Sequence, residues 1–282
     1  MLNKKQVLVV CSAVILMGLM LSMDIQGLVK PNEDAGSAPA ASQAAAPVKA
    51  YSLEDVSEIS KQALTANLNK QVTDLEKELK SASENEKVDL QRKLAQQWDD
   101  LNQAAPAAFY YELIAQKEPG YTPWLKAGDK FTDAYQQTLD TLMQPALVQK
   151  AIQAYKEADK LQPNTPEVKT GLGIAYVTGT PNPMQGIQLL LEVVKNDPKN
   201  LKANLNLGLF SMKSGQYEKA VERFKTVIEQ APTAEAWFYL ASSYENMGMK
   251  SDAIGAYLKT KEIAADPNMS QFVDRKVNEL SN

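Results

Sequence analysis

Histidine is absent from the 282 residues, and cysteine occurs once, as Cys11. Without histidine there is no Ser-His-Asp or Cys-His nucleophile and no imidazole metal ligand. The commonest general base at neutral pH is missing with it. A lone cysteine inside an apolar run builds neither a thiolate zinc cage nor a disulfide within the chain. Runs of alternating β-branched residues are missing as well, so no sheet is expected. The chain reads as a non-enzyme, with no catalytic, cofactor-binding or metal-binding residue to assign.

Carboxylates are plentiful, with 34 Asp and Glu, but they are spread over helix faces, as Glu218 and Glu222 are. That spread is a solvated surface, not an acid–base pair. Lys and Arg together number 30 and are slightly outnumbered. The formal net charge is −4, and Lys4, Lys5 and Lys30 of the first thirty residues face one acid there, Asp24. The remainder is therefore more acidic than the whole, and no nucleic-acid partner is expected. Gly171-Leu172-Gly173 starts like a dinucleotide fingerprint, but Tyr176 occupies the third glycine position and no strand precedes it.

What is present falls into blocks. Gln6 to Met23 is an uncharged run of 18 residues. At about 1.5 Å per residue a helix of that length reaches roughly 27 Å, near the thickness of a bilayer core. Lys4 and Lys5 precede it and Asp24 follows, which keeps the N-terminus in the cytoplasm. Met23-Asp24-Ile25-Gln26 offers no small-x-small cleavage site, so residues 1–30 are expected to be an uncleaved transmembrane anchor. Residues 31–50, rich in Ala, Pro and Ser, have too little apolar surface to order and read as a tether.

Residues 51–84 are expected to hold one amphipathic helix over 52–82, opened by Ser52 and Asp55 in a capping box. Its stripe runs through Val56, Ile59, Leu64, Leu68, Val72, Leu75 and Leu79. Two outcomes fit that stripe: packing on the following domain, or a short coiled coil that makes a homodimer.

From residue 85 to 282 a pattern repeats. Its clearest form is Leu207-Gly208, Gly215, then Ala220 and Phe224, then Pro232. The next copy has Trp237, Leu240, Ala241, Tyr244, Gly248, Ala253 and Tyr257. Closing prolines fall at 119, 163, 198, 232 and 267, at spacings of 44, 35, 34 and 35. Apolar steps of three and four residues flank each break, so every unit is two helices joined by a turn. Gly215 suits the left-handed turn between them. Repeat two carries about eleven extra residues around Leu139 to Met143, with Pro145 opening its second helix. Repeat three has Gly186 where alanine is usual.

Over residues 88–267 this order resembles the tetratricopeptide repeat (TPR) family, whose period is near 34 residues. The resemblance implies an all-α solenoid, a right-handed superhelix of about five helix-turn-helix repeats. These are placed at 88–119, 121–163, 166–198, 201–232 and 234–267, with a capping helix at 268–280. It also implies a protein-binding groove lined by the first helix of each repeat. The family's groove positions fall on Lys202, Leu205, Asn206, Leu209, Met212 and Lys213 in repeat four. In repeat five they fall on Glu235, Phe238, Tyr239, Ser242, Glu245 and Asn246, and in repeat three on Glu167, Thr170, Ile174 and Val177. Asn206 would hold a peptide backbone, Lys202 and Lys213 would attract carboxylates, and Phe238 would be an apolar anchor. Thr170 and Ile174 stand where a carboxylate clamp needs lysine and asparagine, so a strict clamp is not expected. The expected role is a scaffold for protein or peptide partners, without cofactors. Anchored at a bacterial inner membrane, it would face the periplasm.

Overall fold

The structure, a computed structural model, describes residues 49–281. The expected anchor of residues 1–30, with its run 6–23, lies outside the described residues, as does the tether up to residue 48. Among the described residues there are thirteen α-helices and no strand, and no helix is long and apolar enough to cross a membrane.

Two helices come first, α1 (Leu53–Lys61) and α2 (Ala66–Ser81). Five pairs follow: α3 (Glu84–Asp100) with α4 (Ala104–Lys117), and α5 (Tyr121–Gln137) with α6 (Gln144–Leu161). Then come α7 (Pro166–Gly179) with α8 (Pro183–Asn196), α9 (Leu201–Lys213) with α10 (Tyr217–Gln230), and α11 (Ala234–Asn246) with α12 (Lys250–Ala264). The chain closes on α13 (Pro267–Ser281). From α2 onward each helix packs on the next in chain order, as a solenoid requires.

The helix starts are fixed locally. The amide of Asp55 donates to Ser52 Oγ at 3.1 Å while the Ser52 amide donates to Asp55 Oδ2 at 2.8 Å, the reciprocal capping box. Thr165, Asn200 and Thr233 each accept from the third residue of the helix that follows. Gly215 and Gly248, at φ +73° and +72°, make the left-handed turns inside repeats four and five.

Close approach of helices explains the repeated small residues. A Cβ on Gly128 would stand 2.7 Å from the Tyr155 ring, and one on Gly171 would stand 2.3 Å from it. Tyr155 is fully buried, so α5, α6 and α7 meet around one ring. Phe224, also fully buried, sits the same way over Gly208. The recurrence of glycine in the first helix and an aromatic in the second is therefore one packing contact repeated.

Residues 52–82 are not one helix. Gln62 to Thr65 break it, and Thr65 caps α2 through the Leu68 amide at 3.5 Å. Lys61, at the end of α1, is buried at this break. Its ammonium lies 2.9 Å from Glu58 and 2.5 Å from Glu76, and Ser57 donates to Glu76 at 2.5 Å. The expected coiled-coil seam is consumed within the chain. Val72 is fully buried, and Leu75 and Leu79 pack against the cluster of Leu94, Trp98 and Tyr110. Of the two outcomes expected of the stripe, the structure shows packing on the following domain, and a homodimer built on it would have to open this packing.

Candidate protein-binding groove

The first helices of repeats two to five, α5, α7, α9 and α11, contact one another in succession along one side. Lys202 on α9 pairs with Asp129 on α5 at 2.9 Å, reaching past α7. That reach defines an inner face carried by the first helices.

The groove residues expected from sequence divide into three groups. Lys202, Lys213, Glu167, Glu235 and Asn246 are exposed. Lys213 makes no ion pair among the described residues, and Asn246 donates to the Ser242 carbonyl at 2.8 Å. Leu205, Leu209 and Met212 are half-buried and adjoin the apolar core of the last two repeats.

The third group is structural. Asn206 is buried at 9% exposure, and its amide donates to the Lys202 carbonyl one turn back at 2.8 Å. Thr170 and Ile174 are each 2% exposed, so neither reaches a partner. Phe238 is half-buried between Tyr239, Tyr257 and Phe272, with ring centroids 5.8, 6.0 and 5.8 Å away. It packs α13 onto the last repeat. Tyr239 stacks on Phe224 at 5.5 Å, and burial, with the Glu235 carboxylate, pushes its phenol pKa up. Burial alone would raise the Glu245 carboxyl, but hydrogen bonds from Lys276 and Tyr257 hold it below the usual range. Val177 lies elsewhere, in a cleft with Ile187 and Leu207.

The structure adds carboxylates that the sequence reading did not single out. Asp129 accepts from both Lys202 and the Tyr155 hydroxyl at 2.9 Å. Asp133 is half-buried, and desolvation pushes its carboxyl up against the pull of Lys130. Asp99 accepts from Lys130 at 2.8 Å and from the Tyr111 hydroxyl at 2.9 Å. The signal was available: the count that begins at Leu201 in repeat four, begun at Tyr121 in repeat two, lands on Asp129 and Asp133. Over repeats one and two Asp99, Asp129 and Asp133 thus lie among Lys126 and Lys130, and over repeat four the face carries Lys202 and Lys213. Among the described residues no group of acidic side chains is disposed to hold a metal ion.

Residues 183–244 match one tetratricopeptide repeat family model and residues 235–263 match another. No curated protein matches the chain. Among solved structures, one of MamA is similar with a TM-score of 0.46 and 20% identity, over 61% of this chain and 95% of MamA. A second MamA structure gives 0.44 and 20%, over 63% and 92%. YrrB, described as a TPR protein with an unusual peptide-binding site, gives 0.43 and 16%, over 68% of this chain and 94% of YrrB.

Proposed function

We propose that this chain is a membrane-tethered scaffold that holds a segment of a partner protein against the inner face of its first helices. One observation carries the reading: Leu205, Leu209 and Met212 form a half-exposed apolar strip flanked by exposed Lys202 and Lys213. Covering such side chains contributes roughly 1 kcal/mol each, and the Lys213 ammonium, unlike that of Lys202, has no carboxylate of the described chain and selects for one. The tetratricopeptide matches over 183–263 support the same reading.

The site of action rests on the sequence. An uncharged run at 6–23 behind Lys4 and Lys5 supports a single-pass anchor in a bacterial inner membrane, with the repeats in the periplasm and a role in an envelope assembly. A reporter fused after Asn282 tests this. Activity confined to the cytoplasm would overturn the topology.

The binding face is tested by a photo-crosslinking residue placed at Met212, compared with one at exposed Lys259 on α12. Discrete adducts at Met212 and none at Lys259 are expected in native membranes. Equal labelling at both positions removes the inner face as the site.

A further inference from the structure

The second helices carry a second docking surface, separate from the inner face. Helix α1 packs against α4, where Tyr51 and Val56 join Ala104 and Ala108 in one apolar cluster with Ala105 at its margin. Ala107, Tyr111 and Ile114 of α4 hold the repeat positions of Gly186, Leu190 and Val193 of α8. By that register Ala104, Ala105, Ala108 and Glu112 correspond to Pro183, Met184, Ile187 and Leu191. On α4 these positions are covered by a helix. On α8 they are open: Met184 is 59% exposed and Leu191 44%. They form one wall of a cleft of about 590 Å³, floored by Leu207 and Phe210 of α9 and closed by α10.

The charges of the two places differ in an informative way. Lys150 on α6 pairs with the buried carboxylate of Glu112 at 2.8 Å. The counterparts are Lys219 on α10 and Leu191 on α8, so the carboxylate is missing where the ammonium remains. Lys219 reaches only the Gln216 side-chain oxygen, at 2.7 Å, and Arg223 beside it donates to Asn204 at 3.0 Å. With Glu222 the rim keeps one net positive charge.

We infer that the α8–α10 cleft binds a short amphipathic helix of a partner protein, apolar on the side facing Met184, Ile187 and Leu191. An aspartate or glutamate of that helix supplies Lys219 with the carboxylate that Glu112 gives Lys150. The internal precedent sets the size: α1, with nine residues, covers the equivalent surface of α4. Apolar anchors at three- and four-residue steps with one acid at their edge are the recognition code.

The test is a selection of helical peptides, randomised in sequence, against the purified full chain in detergent, followed by fluorescence anisotropy. Selected peptides should share an apolar stripe with one acid beside it. Met184→Glu with Leu191→Glu, both at exposed sites and so harmless to folding, should weaken them by about tenfold or more. Lys219→Glu should weaken them similarly, and changing the peptide acid to lysine should restore binding. Lys213→Glu on the inner face should leave them unaffected, which separates this surface from the groove. Peptides without the pattern, or peptides bound equally by the Met184→Glu/Leu191→Glu protein, overturn the inference. So does a dimer in sedimentation that Leu191→Glu dissolves, since a second copy would then be the occupant.

Discussion

Lys202 Nζ and Asp129 Oδ1 stand 2.9 Å apart although 73 residues separate them in sequence. The pair joins α9 to α5 across the face of α7. Both side chains keep substantial exposure, 52% and 39%, so water and salt screen the contact. Its energy is therefore small, about 0.2–1 kcal/mol. Lys202→Ala should lower the melting temperature by no more than about 3 °C in calorimetry. A larger loss would mean that the pair holds the curvature of the repeats rather than decorating it.

Overpacking provides a sharper contrast. Gly171→Ala would push a methyl into the Tyr155 ring at 2.3 Å, whereas a Cβ on Gly255 meets nothing within 4 Å. The first change should cost at least about 1–3 kcal/mol. Gly255→Ala, at an exposed position of α12, should add roughly 0.5–1 kcal/mol through helix propensity. Urea unfolding of the two variants checks the opposite signs.

The sequence carried the repeats because their spacing is set by contacts that recur, Gly128 with Tyr155 and Gly208 with Phe224. It carried the groove less well, for physical reasons that differ by residue. An asparagine at the Asn206 position can face a ligand or the carbonyl one turn back, and only the burial of its neighbours decides. Phe238 turned inward because α13, which stands outside the repeat pattern, supplies Phe272 as its partner. The break before Thr65 is not legible because the apolar stripe continues across it into α2. Asp129 and Asp133 stand at the positions of Leu209 and Lys213, and the side chains there change from apolar and basic to acidic between the two repeats.

The Lys61–Glu76 pair between α1 and α2 tests buried charge. Glu76 neutralises Lys61, whose side chain is 8% exposed, with Glu58 as the outer partner. Glu76→Ala should destabilise by roughly 3 kcal/mol, because an ammonium is left buried with one exposed partner. Lys61→Met combined with Glu76→Leu should come close to the parent. Comparable losses in the single and double variants would show that packing, not charge, holds α1 to α2.

Alkaline stability follows from the phenols. Burial, then the carboxylates of Glu76, Asp99, Asp129 and Glu245 respectively, pushes Tyr110, Tyr111, Tyr155 and Tyr257 above their ordinary value of 10.0. Below about pH 10 both states hold these protons and nothing is gained or lost. Above it the unfolded chain ionises first, so stability falls as pH rises toward the raised folded values. Lys61 acts in the same direction. Burial alone would lower its pKa, but Glu76 and Glu58 raise it, so its contribution disappears as pH climbs through that folded value. Tyrosinate absorbance from these groups should appear together with helix loss in circular dichroism. Ionisation with the helices intact would contradict their burial.

The most direct test of the inner face compares capture with stability in one variant. Met212→Glu with Lys213→Glu alters the half-exposed strip and its flanking charge, and neither residue belongs to the buried core. Asn206→Ala is the structural control, expected to lose about 1 kcal/mol with its buried hydrogen bond. Crosslinked partner recovered from membranes, quantified by mass spectrometry, should fall at least about fivefold for the double variant. Its melting temperature should stay within about 2 °C of the parent. Undiminished recovery of the same partner at an unchanged melting temperature would contradict the assignment of this face as the binding site.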